Sequence, residues 1–154
     1  MRVITRDIPD PLTGDLDGAT IHVDYLLSAE ERLFLVAHLF GHTVQWNLSP
    51  EGYELGRPQH PPVEAELLAA LIVYENEAAG YGLALLHSVA ISGLDVSYSR
   101  YAACDARYLT RYYVTGEKAR FFDFWQEDAP LIAARPVPRF TPTRRPPRAD
   151  GIVI

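Results

Sequence analysis

The chain has 154 residues, a net charge of −6 and 48% hydrophobic residues. This length is usual for one domain and allows an apolar core without covalent cross-links. A single cysteine, Cys104, excludes an intramolecular disulfide and a zinc site built from thiolates. No run approaches the roughly 20 apolar residues of a membrane span, and the N-terminus has no signal-peptide pattern. We therefore expect a cytoplasmic protein with no membrane partner.

The charge is unevenly distributed. From Arg135 onward there are five arginines and one acid, so this segment carries +4 and the remainder carries −10. An acidic body repels nucleic-acid backbones, and we expect no nucleic-acid partner. We expect a single domain over residues 1–135, followed by an extended Pro/Arg-rich tail over 136–154 that packs along the acidic surface. The apolar hook at 152–154 should then occupy a groove, and the alternative is an arm reserved for a partner.

Short alternating segments predict strands, and helical spacing of apolar residues predicts the remaining elements. Ser28 and Glu31 form a capping box that opens the first helix. Pro62 suits a first helical position. The predicted elements are strands at 2–6 and 19–24, separated by a turn-rich loop, then helices at 29–45, 62–87 and 97–114 and a short aromatic helix around 121–125. Strands followed by helices indicate an α+β domain.

Two histidines, His38 and His42, lie four residues apart in the first predicted helix, in the sequence H-L-F-G-H. This spacing puts both imidazoles on one helix face, where they can bind one ion. Imidazole suits zinc, iron, copper or nickel. We place both rings at the edge of the buried stripe, half covered. An i, i+4 histidine pair also arises by chance, so it needs independent support.

That support comes from an acidic pair, Glu75 and Glu77, within the apolar second helix. A carboxylate inside an apolar helix is costly unless it is paired or bound to a metal. The two positions cannot both face one ion, because they are two residues apart on a helix. Two histidines and one carboxylate make a three-ligand site with an open position for water or substrate.

Over roughly residues 17–87 the chain resembles the ImmA/IrrE-like metallopeptidases, a zincin family. The similar segments are L-D-G-A-T-I-H-V-D, E-R-L-F-L-V-A-H-L-F-G-H and E-N-E-A-A-G-Y-G-L-A-L-L. The resemblance implies a zincin-like α+β domain: a short sheet, a metal-binding H-x-x-x-H helix and a later helix that supplies the third ligand. By position it implies His38, His42 and Glu75 as ligands, with zinc as the metal. Iron is the alternative metal, because two histidines and one carboxylate are also the ligand set of non-haem iron oxygenases.

The sequence departs from the family pattern at the catalytic position. Family members carry H-E-x-x-H, and Leu39 stands where their glutamate acts as general base. Loss of such a base lowers a rate by roughly 10²–10⁴-fold, so we expect little conventional peptidase activity. We name Glu77 and His87 as candidate replacement bases, with a tyrosine of the third long helix as a further alternative.

Three classes of function remain open. The first is a metal-dependent enzyme with altered chemistry, acting on a small-molecule or peptide substrate. The second is an inactive pseudo-peptidase that binds a peptide or a partner protein. The third is a structural domain in which hydrogen bonds satisfy the histidines. Leu39 favours the second class over a plain peptidase, and the retained ligand set argues against the third.

Overall fold

The computed structural model describes residues 1–8 and 13–146 as a mixed α+β fold. Within these residues the elements are three strands, four α-helices and one 3-10 helix. Their bounds are β1 Arg2–Arg6, β2 Gly14–Leu16, β3 Thr20–Asp24, α1 Ala29–Leu48, α2 Pro50–Leu55, α3 Ala65–Ser88, α4 Asp95–Thr115 and the 3-10 helix Phe121–Phe124. The predicted α+β class is thus confirmed.

The sheet has the order β1-β3-β2, with β1 parallel and β2 antiparallel to the central strand β3. Strand β3 is the most buried of the three, and its Ile21 and Val23 face the helical layer. Helix α1 packs against this sheet through Leu35, Leu39 and Val44. A second cluster of apolar and aromatic residues, including Phe34, joins α1 to α3 and α4. Helix α1 is therefore covered on several sides.

Four predictions about the elements need correction. The loop expected between the first two strands contains β2, a three-residue strand too short to give a periodic pattern. The loop expected after α1 contains α2, which begins at Pro50 with Ser49 as its N-cap. Helix α3 begins at Ala65 rather than at Pro62, with Glu64 in the cap position. The helix predicted at 29–45 extends to Leu48.

Helices α1 and α3 approach each other closely at Gly41. A Cβ atom on Gly41 would collide with the carbonyl group of Ala78 on α3. Farther along the same pair, a Cβ on Gly82 would collide with the carbonyl oxygen of Ala37. Glycines at both positions let the two backbones pack without intervening side chains. This contact sets the separation between residues 38–42 and the middle of α3.

Residues 125–146, which follow the 3-10 helix, have no regular secondary structure but lie against the domain. The backbone nitrogen of Arg135 donates to the carbonyl oxygen of Gly80 at 3.0 Å. Phe140 packs against the core cluster that contains Phe40. Arg145 donates to the carbonyl oxygen of Trp46 at 2.8 Å. The contacts over 135–145 agree with the expected docking, and the predicted hook at 152–154 lies outside the described residues.

Candidate metal centre

The centre is formed where α1, α3 and α4 meet. His38 and His42 lie one turn apart on α1, and Glu75 lies in the middle of α3. All three are buried, with relative exposures of 1%, 3% and 8%. The predicted half-covered position of the histidines is therefore wrong, because α3 and α4 close over that face of α1. Together the three residues form a group that could hold a metal ion.

The three candidate ligand atoms form a small triangle. Nε2 of His38 and Nε2 of His42 are 2.9 Å apart. Glu75 Oε2 lies 3.2 Å from the first nitrogen and 3.0 Å from the second. In a tetrahedral zinc site with bonds of about 2.0–2.1 Å, ligand atoms are about 3.3 Å apart. The observed separations are slightly shorter than this and are also those of hydrogen bonds, so the three atoms are close enough together to share one metal ion.

The ring of His42 is held by Gln45. The amide nitrogen of Gln45 donates to the carbonyl oxygen of Tyr74 at 2.8 Å and to Glu77 Oε2 at 2.9 Å. Both of these partners are acceptors, so the amide oxygen of Gln45 faces Nδ1 of His42, 3.0 Å away. Nδ1 must then carry the proton. In the neutral ring this leaves the lone pair of Nε2 free to bind a metal.

Tyr74 packs against the face of the same His42 ring. Its ring stacks on His42 with the centroids 4.7 Å apart, and its hydroxyl accepts a hydrogen bond from the indole nitrogen of Trp46.

The side chain of Glu77 also forms an ion pair with Arg135, with 2.9 Å between the carboxylate and the guanidinium. Glu77, a predicted replacement base, therefore contacts Gln45 and Arg135.

His87 lies away from the centre. It is twelve residues after Glu75 on the same helix, about 18 Å along the axis at 1.5 Å per residue. Its imidazole is exposed and lies 3.1 Å from the carboxylate of Asp95. The structure does not bring His87, a predicted replacement base, to the three ligand atoms.

Leu39 is part of the core. Its side chain has no exposed surface and packs in the cluster with Leu16, Ile21 and Val23. A Cβ built on Gly14 of β2 would contact the Leu39 side chain, so this side chain points toward the edge of the sheet. The position that would carry a general base in H-E-x-x-H is therefore occupied by an apolar core residue.

A second buried carboxylate, missed by the sequence analysis, belongs to Asp105 on α4. It is 1% exposed, and its Oδ2 lies 3.6 Å from Nε2 of His38. Its signal in the sequence is an acid on an otherwise apolar face of α4, which carries the buried residues Tyr98, Tyr101, Ala102, Tyr108 and Leu109. Helical spacing alone does not show that this face meets His38.

The ionisation of these groups reflects burial opposed by neighbouring charges. Burial raises the pKa of Glu75, but His42 and His38 outweigh it and bring the pKa to about 2. Burial also raises the pKa of Asp105, to about 7, because the opposing effect of His38 is smaller and Glu75 adds repulsion. Burial lowers the pKa of His38, yet Glu75 and Asp105 outweigh it and raise the pKa overall. The centre thus concentrates negative charge around two imidazoles.

A cavity of about 400 Å³ borders the helices of the centre. It is lined largely by apolar and aromatic side chains, including Leu35 one turn before His38 and the two tyrosines that flank Asp105 on α4, Tyr101 and Tyr108. Glu31 and Lys118 contribute opposite charges to the lining, and the lining residues do not include the three candidate ligands or Asp105. Such a cavity is large enough for a small molecule or for one or two peptide side chains.

Comparisons of the chain with family models, curated proteins and solved structures find no match. No α-helix within residues 1–8 and 13–146 is long and apolar enough to cross a membrane.

Proposed function

We propose that this protein binds one divalent transition-metal ion, zinc in the first instance, through His38, His42 and Glu75. The observation that carries the proposal is the triangle of ligand atoms 2.9–3.2 Å apart. Burying a carboxylate beside two imidazoles is costly without a compensating cation. The hydrogen bond from His42 Nδ1 to Gln45 sets the tautomer that metal binding requires. Iron is the alternative metal, because two histidines and one carboxylate also form the usual ligand set of non-haem iron enzymes.

We further propose a metal-dependent enzyme related to zincin peptidases but with altered chemistry. Three protein ligands leave one coordination position for water or substrate. An ion held by His38, His42 and Glu75 would supply Lewis acidity and would lower the pKa of a water molecule coordinated to it. The apolar cavity beside α1 and α4 favours a small molecule or peptide with an apolar or aromatic group as substrate.

The second candidate is an inactive pseudo-peptidase that binds a peptide or a partner protein. The observation that favours it is Leu39, which is fully buried and cannot accept a proton from water. In this case the metal ion would stabilise the domain and the cavity would serve binding alone. The two candidates share the metal site and differ in whether water or substrate in the fourth coordination position reacts.

Elemental analysis of untagged protein tests the metal site. We expect one equivalent of metal in the parent protein and in His60→Ala, a control at an exposed histidine in the loop before α3. His38→Ala should retain almost none. Equal, near-zero metal in all three proteins would overturn the proposal and would leave the third class, in which the imidazoles and Glu75 share protons among themselves.

A chelator-sensitive turnover assay separates the two candidates once metal is present. Metal-loaded protein would be screened against acyl, ester and peptide substrates with apolar side chains. Turnover that is lost in His38→Ala and retained in His60→Ala supports an enzyme. Tight peptide binding without turnover supports the pseudo-peptidase.

A further inference from the structure

Asp105 is a buried carboxylate without a hydrogen-bond partner among the described residues. Neither Oδ1 nor Oδ2 accepts a hydrogen bond from this part of the chain, although the residue is only 1% exposed. Its nearest charged neighbour is His38, whose Nε2 lies 3.6 Å from Oδ2. A carboxylate buried in this way is costly unless its charge is compensated. Either protonation or a ligand that brings a positive charge or a hydrogen-bond donor can compensate it.

The direction of the contact points into the metal centre. Asp105 lies against Nε2 of His38, which is the nitrogen that faces His42 and Glu75. Yet Asp105 does not join the group of ligand atoms that lie within 4.8 Å of one another. It is close enough to contact a fourth ligand on the ion, and it approaches from α4, a helix that provides none of the three protein ligands.

The charges also balance. A bound cation would keep Asp105 ionised, so that Glu75 and Asp105 would supply two negative charges while the two imidazoles are neutral as metal ligands. A divalent cation would bring the buried centre to a net charge of zero, which is the arrangement that low-dielectric surroundings favour.

We propose that Asp105 is the second carboxylate of the metal centre and accepts a hydrogen bond from the water molecule in the fourth coordination position. In this role it takes the place of the glutamate that is absent at position 39. The inference rests on the proposed metal site at His38, His42 and Glu75. Asp105 would then be the hydrogen-bond acceptor for the water molecule, and it would come from α4 instead of from the H-x-x-x-H helix.

The test uses full-length protein loaded with cobalt(II), whose visible absorption reports the coordination sphere, and azide as the probe for the fourth position. Asp105→Asn removes the charge and keeps the shape of the side chain. Asp95→Asn, at an exposed acid on the same helix, is the matched control. We expect all three proteins to bind one cobalt ion. Asp105→Asn should bind azide at least about tenfold more tightly than the parent or the control, because one nearby negative charge no longer repels the anion.

Each other outcome is informative. Unchanged azide affinity in Asp105→Asn would overturn the inference while leaving the metal site intact. Loss of cobalt in Asp105→Asn, comparable with the loss in His38→Ala, would also overturn it and would make Asp105 a direct ligand. Absence of cobalt from the parent would overturn the metal site itself, and this inference with it. Asp105→Ser, a smaller uncharged residue, should repeat the gain in azide affinity and guards against misfolding of the first variant.

Discussion

Gln45 lies one turn after His42 on α1, and its amide oxygen is 3.0 Å from Nδ1 of His42. The amide nitrogen of the same side chain is committed to two acceptors on α3, the Tyr74 carbonyl and Glu77. Gln45 therefore joins the two helices that carry the candidate ligands and fixes which nitrogen of His42 is protonated. Such partners of metal-bound histidines contribute directly to metal affinity.

We expect Gln45→Ala to weaken zinc binding by about 10–100-fold, the usual effect of losing a partner that orients a histidine ligand. The measurement is competition with a chromophoric chelator. Gln126→Ala, at an exposed position, should leave the affinity unchanged. Gln45→Glu keeps an acceptor for Nδ1 but places a charge beside Glu77, so we expect an intermediate affinity. Equal affinity in Gln45→Ala and the parent would show that Gln45 does not orient the ligand.

The packing of Leu39 gives a second prediction. Leu39→Ala should lower the free energy of unfolding by about 2–5 kcal/mol, because it leaves a cavity beneath the sheet. Leu39→Glu restores the H-E-x-x-H pattern but buries a charge among Leu16, Ile21 and Val23. We expect it to be at least as destabilising and to gain no peptidase activity. Urea unfolding and a peptide-library digest, both with zinc present, measure these effects. A stable Leu39→Glu protein that cleaves peptides would show that the side chain can turn toward the metal.

The sequence predicted those parts of the centre that one helix or a strong local pattern defines. The spacing of His38 and His42 placed both on one face of α1, and the resemblance selected Glu75 over Glu77. The burial of the histidines and the approach of Asp105 depend on how α4 packs over α1 and α3, and no local periodicity encodes that packing. Strand β2 was missed for a similar reason, since three residues become a strand only by pairing with β3.

The close approach at Gly41 couples helix packing to the site. A side chain at this position would collide with the backbone of Ala78 and force α3 away from α1. Gly41→Ala should therefore lower both thermal stability and zinc affinity, because Glu75 is carried on the displaced helix. Gly93→Asn is the control, since a Cβ there meets no atom of the described residues within 4 Å and asparagine tolerates positive φ well. Full zinc affinity in Gly41→Ala would mean that the helices adjust without moving Glu75.

Metal-free protein should show a distinctive pH dependence. The pKa of Asp105 is raised to about 7 by burial, so the folded state holds this proton more tightly than the unfolded state. The resulting stabilisation is complete below pH 4 and is lost as the pH rises toward 7. Glu75 has the opposite sign: its contribution is present above pH 4.5 and is lost as the pH falls toward 2.

Thermal unfolding in the presence of a chelator, between pH 4.5 and 7.5, measures this effect. The melting temperature of the parent should fall with rising pH relative to that of Asp105→Asn, and the two curves should converge at the acidic end. His38 also loses stabilisation as the pH rises. Part of its raised pKa comes from Asp105 and is absent from the variant, so this part adds to the fall of the parent curve in the same direction. A constant difference between the curves at all pH values would contradict the raised pKa of Asp105.

The C-terminal segment provides the last prediction. Arg145 donates from its backbone to the carbonyl oxygen of Asp17, and its guanidinium lies 4.7 Å from the centre of the Tyr53 ring. Thr143 donates to the side chain of Asn47 at 2.8 Å. Exposed ion pairs contribute at most about 1 kcal/mol each, so the packing of Phe140 against the core must contribute as well.

Limited trypsin digestion tests this docking. Trypsin cleaves after arginine and lysine except before proline. Arg135 and Arg145 precede proline, so the cleavable bonds among residues 135–146 follow Arg139 and Arg144. We expect both bonds to be cleaved far more slowly than the bond after Lys118, which lies in an exposed segment without regular secondary structure. Phe140→Ala should accelerate cleavage after Arg139 and Arg144 and leave cleavage after Lys118 unchanged, because it removes the apolar anchor alone. If the parent were cleaved after Arg139 and Arg144 as fast as after Lys118, the exposed charges and the two backbone contacts would not hold the segment in place. The segment would then be free to bind another molecule.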